Sequence, residues 1–500
     1  MEEQRLRCKQ LKDKLMSAEE AAKVIKKDMT IAVSGFTPAG YPKAIPLELA
    51  KRGENGEKLN LTVITGASVG PEIDEKMTNA GVIGRRFPYQ TNRTLRKAIN
   101  DGKVKYVDMH MSHVPQELKA GFLGKIDVAI IEVVAITEEG YLIPSTSVGE
   151  INVGVKLADK VLVEINTTQP LELEGMHDII DLPLPPHRKP IPLTRPEQRI
   201  GKPYIECDLD KIVGIVECDI PDKADPMTEP DDVSFAISKN IISFLSKEVE
   251  AGRLPKNLLP LQSGVGNVAN AILKGLTESD FEHLTVFSEV LQDGIIDLIQ
   301  CGKIDYASGT SLTLSPEKIA TLKEDLPSIK DKIILRPQEI SNHPGLVGRL
   351  GVIAINTALE FDIYGNVNSS HVSGTNMMNG LGGSGDFTRN GYLSIFTTQS
   401  TAKKGVISAV VPCVPHVDHP EHDVMVVVTE QGYADLRGLD PVERARKIIA
   451  NCAHPDYRDQ LEDYLNRAIK ESPGQHTPHI LPEVFSWYQR LKETGTMKEQ

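Results

Sequence analysis

The 500-residue sequence predicts an α/β fold: two similar open α/β domains with mostly parallel sheets, followed by a C-terminal helical segment. Three observations predict it. Short apolar runs alternate with helical stretches along the chain, which is the pattern of parallel strands joined by helical crossovers. The order of these units repeats once, at a domain-sized interval. The chain is also too long for one hydrophobic core.

Taken in order, "MTIAVSGFTPAGYPKAIPLELAKR" (Met29 to Arg52) reads as strand, glycine loop, helix, and "NLLPLQSGVGNVANAILKGL" (Asn257 to Leu276) repeats it. "LNLTVITGASVG" (Leu59 to Gly70) parallels "EHLTVFSEVLQDG" (Glu282 to Gly294). "GKIDVAIIEVVAITEEGYLIPSTSVG" (Gly124 to Gly149) parallels "LGVIAINTALEFDIYGNVNSSHVSG" (Leu350 to Gly374). The Pro- and Asp-rich stretch from Cys218 to Asp232 reads as a surface linker, giving domains 1–222 and 223–500. A Pro-rich stretch from Leu182 to Gln198 reads as an extended excursion from the first domain. Past Arg437 the pattern is helical through Lys492 and is expected to pack on the second domain.

A net charge of −13 gives no general attraction to nucleic acid or to anionic lipid, although a local basic spot for a phosphate-bearing ligand remains open. Six cysteines without a CxxC pair read as free thiols of a reducing compartment. The first 28 residues are charged throughout, with no apolar core like that of a signal peptide, and no apolar run approaches the ~18 residues that span a membrane. A cytoplasmic protein with no membrane partner is the expectation.

Chemistry is expected where the two repeats differ. Aligning "LTVIT-G" with "LTVFS-E" sets Gly66 opposite Glu289, each at the carboxyl end of an apolar strand, where open α/β sheets place ligands. A carboxylate there is not needed for packing. The plainer alternative is an N-cap or surface glutamate opening the helix "VLQDGIIDLIQ". Gly264 and Gly266 follow a strand and precede an Ala-rich helix, so they suit a close backbone approach or helix-start N–H groups aimed at an anion or oxyanion. A plain turn satisfies the same pattern, and Ala269 breaks the G-x-G-x-x-G of a dinucleotide site. "NGLGGSGDF" (Asn379 to Phe387) packs Gly380, Gly382, Gly383 and Gly385 together, as backbone lying against a ligand would require. Lys403 and Lys404 follow it, either to pair with a phosphate or as a solvated pair. "HVDHPEHD" (His416 to Asp423) is metal-like in composition but not in spacing, so local loop hydrogen bonding is expected and no metal.

The stretches "PLQSGVGNVANAIL", "FSEVLQDGIIDLI", "LRPQEISNHP", "FDIYGNVNSSHVSG", "NGLGGSGDF" and "VVPCVPHVDHPEHDV", with "SGFTPAGYPKAIP" near the start, resemble the acetyl-CoA hydrolase/transferase branch of the class I CoA-transferases over nearly the whole chain. The resemblance implies a NagB/RpiA/CoA-transferase-like fold, homodimers, and coenzyme A as substrate with no prosthetic group. It implies that Glu289 carries CoA as a thioester and that the loop Gly264, Val265, Gly266, Asn267 and Val268 touches CoA. Gly383 then supplies an oxyanion-stabilising amide. Leu359, Asn379 and Lys403 lie near the cofactor, the lysine at its phosphates, and Asn342 is an active-site amide. The reaction it implies is CoA transfer between small carboxylic acids, with succinyl-CoA and acetate favoured; hydrolysis of acetyl-CoA, or propionyl- or butyryl-CoA:carboxylate transfer, is the alternative. A nucleotide-binding module and a non-catalytic scaffold are weaker readings of the same glycine loops.

Overall fold

The structure, a computed structural model, describes residues 4–224 and 229–499. Contacts group the chain into two compact units, Met1–Met227 with Thr285–Leu350, and Thr228–Leu284 with Gly351–Gln500. The units thus interleave in sequence, whereas the doubled pattern suggests a single cut at 222/223. Of the proposed linker, residues 225–228 lie outside the described residues, and Asp222 is buried instead of lying on the surface.

In the first unit, strands β1 (Thr30–Val33), β2 (Leu61–Ile64), β3 (Ile83–Phe87), β4 (Lys105–Tyr106), β5 (Val128–Ile136), β6 (Lys160–Asn166) and β7 (Ile212–Cys218) form a sheet in the order β4-β3-β2-β1-β5-β6-β7. Every pairing along this path is parallel: Ile31 sits opposite Val63 on one side and Val128 on the other. The hairpin strand Leu142–Pro144 returns antiparallel on β5. β5 is buried along its whole length, as its run "VAIIEVVAI", apolar but for Glu132, requires with helices on both faces. Ile45, Leu49 and Ala50 of the helix Ala44–Glu54 share one core with Ile31, Val33, Leu61, Val63 and Ile130.

The later strands are β8 (Leu261–Ser263), β9 (Leu284–Phe287), β10 (Ile304–Gly309), β11 (Ile333–Leu335), β12 (Ile353–Thr357), β13 (Leu393–Thr397), β14 (Val426–Thr429) and β15 (Gly432–Asp435). Within the first unit the order β11-β10-β9 repeats that of β4-β3-β2. Within the second, β8-β12-β13-β14 repeats β1-β5-β6-β7, all parallel, and β15 closes the edge antiparallel. Strand order therefore follows the repeat legible in the sequence.

The C-terminal helices Pro441–Cys452, Pro455–Glu471 and Ser486–Thr494 cover one face of the second unit. Ile448, Ile449, Tyr457, Leu461 and Trp487 join Phe361, Phe396 and Val427 in its core. The excursion from Leu182 to Gln198 has no regular structure. It is tied to the first unit by Arg336, which donates to the Pro196 and Gln198 carbonyls, and by Arg349, which donates to those of Ile191 and Leu193.

Candidate active site

In the first unit the apolar strand β9 ends at Phe287, and the chain passes through Ser288 and Glu289 into a two-residue strand, Val290–Leu291. That short strand runs parallel to Ser311–Leu312 and so fixes the backbone at Glu289. Ser288 N–H donates to the Ser308 carbonyl at 2.9 Å, and the Glu289 carbonyl accepts from Thr310 N–H at 2.7 Å and Ser311 N–H at 3.1 Å. In the helix that follows, Asp293–Gln300, Gln292 occupies the N-cap position. Glu289 is therefore not its N-cap.

The Glu289 side chain is half-buried, and Asn342 Nδ2 donates to its Oε1 at 2.5 Å. Asn342 is fully buried at the end of the short helix Gln338–Ser341. Its own Oδ1 accepts from the Ser341 hydroxyl at 2.7 Å, which turns the NH2 group toward the carboxylate. A ring of hydrogen bonds closes behind the pair. Asn342 N–H reaches the Gln338 carbonyl (3.0 Å), Gln338 N–H reaches Gly149 O (2.9 Å), and Gly149 N–H reaches Thr310 Oγ1 (3.0 Å). Thr310 then returns to the Glu289 backbone.

The matching position of the other repeat explains why Gly66 has no side chain. A Cβ there would sit 2.8 Å from both the Gly35 carbonyl and the Phe36 ring, and 3.0 Å from Gln338 Oε1. Phe36, Ala67, Met111 and Val290 form a small buried apolar cluster in this region of the unit.

The second unit carries the remaining expected residues. Gly264 N–H donates to the Ile355 carbonyl at 3.1 Å, joining the loop to β12. Val265, Gly266 and Asn267 are exposed, with Gly264 and Val268 half-buried. Gly266, at φ +103°, caps the 12-residue helix Asn267–Glu278, and no atom lies within 4 Å of its Cβ position, so backbone conformation alone calls for glycine. Leu359 is half-buried and held by its N–H to the Asn368 carbonyl. Asn379 is half-buried and Gly383 buried in one glycine-rich loop, where Gly383 is the N-cap of the short helix Ser384–Thr388. Among the described residues the Gly383 N–H has no hydrogen-bond acceptor. Lys403 and Lys404 are exposed, both at positive φ (+48° and +60°), in the turn between Thr401–Ala402 and Ile407–Ser408.

Glycines at a helix start and an open loop amide can let backbone approach a ligand bearing negative charge. Among the described residues no group of three or more His, Cys, Asp or Glu could hold a metal. Within "HVDHPEHD", Asp418 instead accepts from Ser369 N–H (2.7 Å), the Ser370 hydroxyl and His416 Nε2. No helix among the described residues is long and apolar enough to cross a membrane.

The model of the acetyl-CoA hydrolase/transferase N-terminal domain matches residues 1–217, and that of the C-terminal domain matches residues 321–465. The chain belongs to the acetyl-CoA hydrolase/transferase family. It is 56% identical to the succinyl-CoA:acetate CoA-transferase of Clostridium kluyveri, over 99% of this chain and 92% of that one. It is 46% identical to the acetyl-CoA hydrolase of Candida glabrata, over 97% and 95% of the two chains. The fold is shared with the solved 4-hydroxybutyrate CoA-transferase of Porphyromonas gingivalis, with a TM-score of 0.63 at 22% identity over 92% of this chain and 98% of that one. The protein is thus an enzyme of the CoA-transferase type, acting on CoA thioesters as this family does.

Within this family frame, sequence reasoning selected Glu289 and Asn342, and the structure brings them into direct contact. It did not select Gln338, Thr310 or Gly149, which complete the ring behind them. Gly149 and Gln338 lay inside quoted stretches, "PSTSVG" and "LRPQEISNHP", but nothing in a linear sequence says that these segments meet.

Proposed function

We propose that this enzyme moves CoA between small carboxylic acids, with succinyl-CoA and acetate as the principal pair, through a thioester on Glu289. The observation that carries the reading is the Glu289 carboxylate: half-buried at a strand end, held by Asn342 at 2.5 Å, with its backbone pinned by two N–H donors. A carboxylate in water is a poor nucleophile because it is well solvated, and partial burial with Asn342 as a fixed partner orients it at reduced solvation. In the first half-reaction a Glu289 oxygen attacks the acyl-CoA carbonyl and expels CoA thiolate, leaving an acyl-glutamyl anhydride. The thiolate then attacks the glutamyl carbonyl and expels the free carboxylate, leaving glutamyl-CoA. A second carboxylate reverses both steps.

Each tetrahedral stage places negative charge on oxygen. The open Gly383 amide and the backbone N–H groups of the Gly264–Val268 loop are the donors assigned to it, except that of Gly264, which the Ile355 carbonyl holds; each is typically worth ~3 kcal/mol. Leu359 and Asn379 are assigned to the CoA arm, and exposed Lys403 to its phosphates. Binding energy from that remote end holds the reacting thioester in place. The mechanism calls on no metal and no prosthetic group. The choice of succinate and acetate rests on the Clostridium kluyveri relative, and a cytoplasmic homodimer on the resemblance and the cysteine usage.

Hydrolysis is the second reading, favoured by the name of the Candida glabrata relative. The same residues serve, with water replacing the second carboxylate. Initial rates of CoA transfer distinguish them: parallel double-reciprocal lines for succinyl-CoA against acetate, with negligible CoA release when acetate is left out, fit transfer. CoA release at an undiminished rate without any carboxylate acceptor would replace transfer by hydrolysis.

A further inference from the structure

The segment "HVDHP" remains without a role in the chemistry above, yet its histidine reaches the glycine-rich loop of the same unit. His419 is 2% exposed. Its backbone pairs with Val367: His419 N–H donates to the Val367 carbonyl (3.2 Å), and Val367 N–H donates back to His419 O (2.8 Å). Its ring lies on Phe396, with centroids 4.7 Å apart. Strand β13 and the Val367 segment thus fix the imidazole from two sides, and its Nε2 lies 3.0 Å from the Ser384 hydroxyl.

The hydroxyl geometry assigns the proton. Ser384 Oγ also lies 2.8 Å from the Leu381 carbonyl oxygen, which can only accept. A hydroxyl has one hydrogen, so Ser384 donates it to Leu381 and must accept from His419. Nε2 therefore carries a proton. The Ser384–Leu381 bond closes a turn around Gly382, at φ +62°, and Gly383. The Gly383 carbonyl is held from the other side by the N–H groups of Asp386 (3.0 Å) and Phe387 (3.2 Å). With both ends of the turn fixed, the direction of the buried, open Gly383 N–H is set.

We propose that His419 is a positioning residue: its Nε2–H anchors Ser384, and through Ser384 it aims the Gly383 amide. The inference rests on the assignment of Gly383 as an oxyanion donor. A loop with four glycines in six residues has little intrinsic preference for one conformation, and the histidine supplies it from outside the loop. The effect belongs in the transition state, where a misaimed donor costs rate and not substrate affinity.

The test uses the full-length enzyme with His419→Leu, His419→Gln, Ser384→Ala and the His419→Leu/Ser384→Ala double variant. Steady-state kcat and acyl-CoA KM are measured, together with the rate of CoA attachment to Glu289 by mass spectrometry. His419→Leu and Ser384→Ala are expected to lower kcat and the attachment rate by about tenfold or more, with KM within about twofold. His419→Gln, which restores an N–H donor at the Nε2 position, should recover to within about threefold of wild type, and the double variant should fall no further than either single one. Wild-type kcat in Ser384→Ala, equal loss in His419→Gln and His419→Leu, or additive losses in the double variant would overturn the proposal. Should wild-type enzyme itself form no adduct on Glu289, it is the catalytic reading that fails, a result distinct from any of these.

Discussion

Glu289 and Asn342 meet at 2.5 Å in the first unit, and each residue is held by something other than the partner. The glutamate is fixed through its backbone, and the amide through Ser341 and the Gln338 carbonyl. Removing the amide takes away a contact that orients the carboxylate and opens it to water. Asn342→Ala is therefore expected to lower transfer kcat by roughly tenfold to a hundredfold, measured at saturating acyl-CoA. A second carboxylate behaves differently. Glu150, beside Gly149, is fully buried, and neither of its oxygens has a hydrogen-bond partner among the described residues. Burial pushes its pKa from an ordinary 4.5 to about 8. Between those values the folded protein holds a proton that the unfolded chain has released, so the contribution of Glu150 to stability falls as pH rises through that window. Glu150→Gln should thus gain stability over wild type as pH rises from 5 to 8, by about 1–3 kcal/mol at the upper end, and gain none below pH 4.5; thermal melts across that range check it. Of these residues, Glu289 stood out in the sequence because its repeat partner is glycine. Asn342 came from the resemblance. Glu150 gave no signal, because burial without a partner is a property of tertiary packing.

At the scale of elements, the loop after β1 is held by a buried ionic group. Lys43 Nζ lies 2.5 Å from Glu132 Oε2 and 2.7 Å from Asp222 Oδ1. Ser145 and Asn166 complete the shell of Glu132, while Thr146, Gln169 and the Gly40 N–H complete that of Asp222. Glu164 accepts from the N–H groups of Lys43, Ala44 and Ile45 and so anchors the helix Ala44–Glu54. One cation faces two carboxylates, and burial pushes Glu132 up to about 7 against the pull of Lys43. Lys43→Met leaves two buried carboxylates without a cation and should destabilise the protein by about 3–5 kcal/mol, read from urea unfolding; a loss below about 1 kcal/mol would show that the group adds little to stability. The strand-loop-helix units around this site were legible from alternation of apolar and helical pattern. The two-residue strand Val290–Leu291 was not, since so short a segment has no period. Nor was Asp222, which reads as linker because Pro and Asp surround it, although its carboxylate is fully employed inside the fold.

At the scale of the molecule, one strand order recurs: β11-β10-β9 within the first unit repeats β4-β3-β2, and β8-β12-β13-β14 within the second repeats β1-β5-β6-β7. The doubling itself could be read from three matched segments. The regrouping of residues 285–350 could not, because it depends on contacts between segments far apart in the chain. That regrouping puts Glu289 and Asn342 in one unit with Gly66 and Phe36, and leaves the glycine loops and Lys403 in the other. The central claim is that Glu289 becomes bonded to sulfur in each turnover, and mass spectrometry of the peptide spanning residues 282–294 tests it most directly. After brief exposure to succinyl-CoA without acceptor, the wild-type peptide should gain CoA in thioester linkage and lose it on adding acetate, while Glu289→Ala gains nothing. A wild-type peptide that never gains mass, in an enzyme that still transfers CoA, would contradict the account.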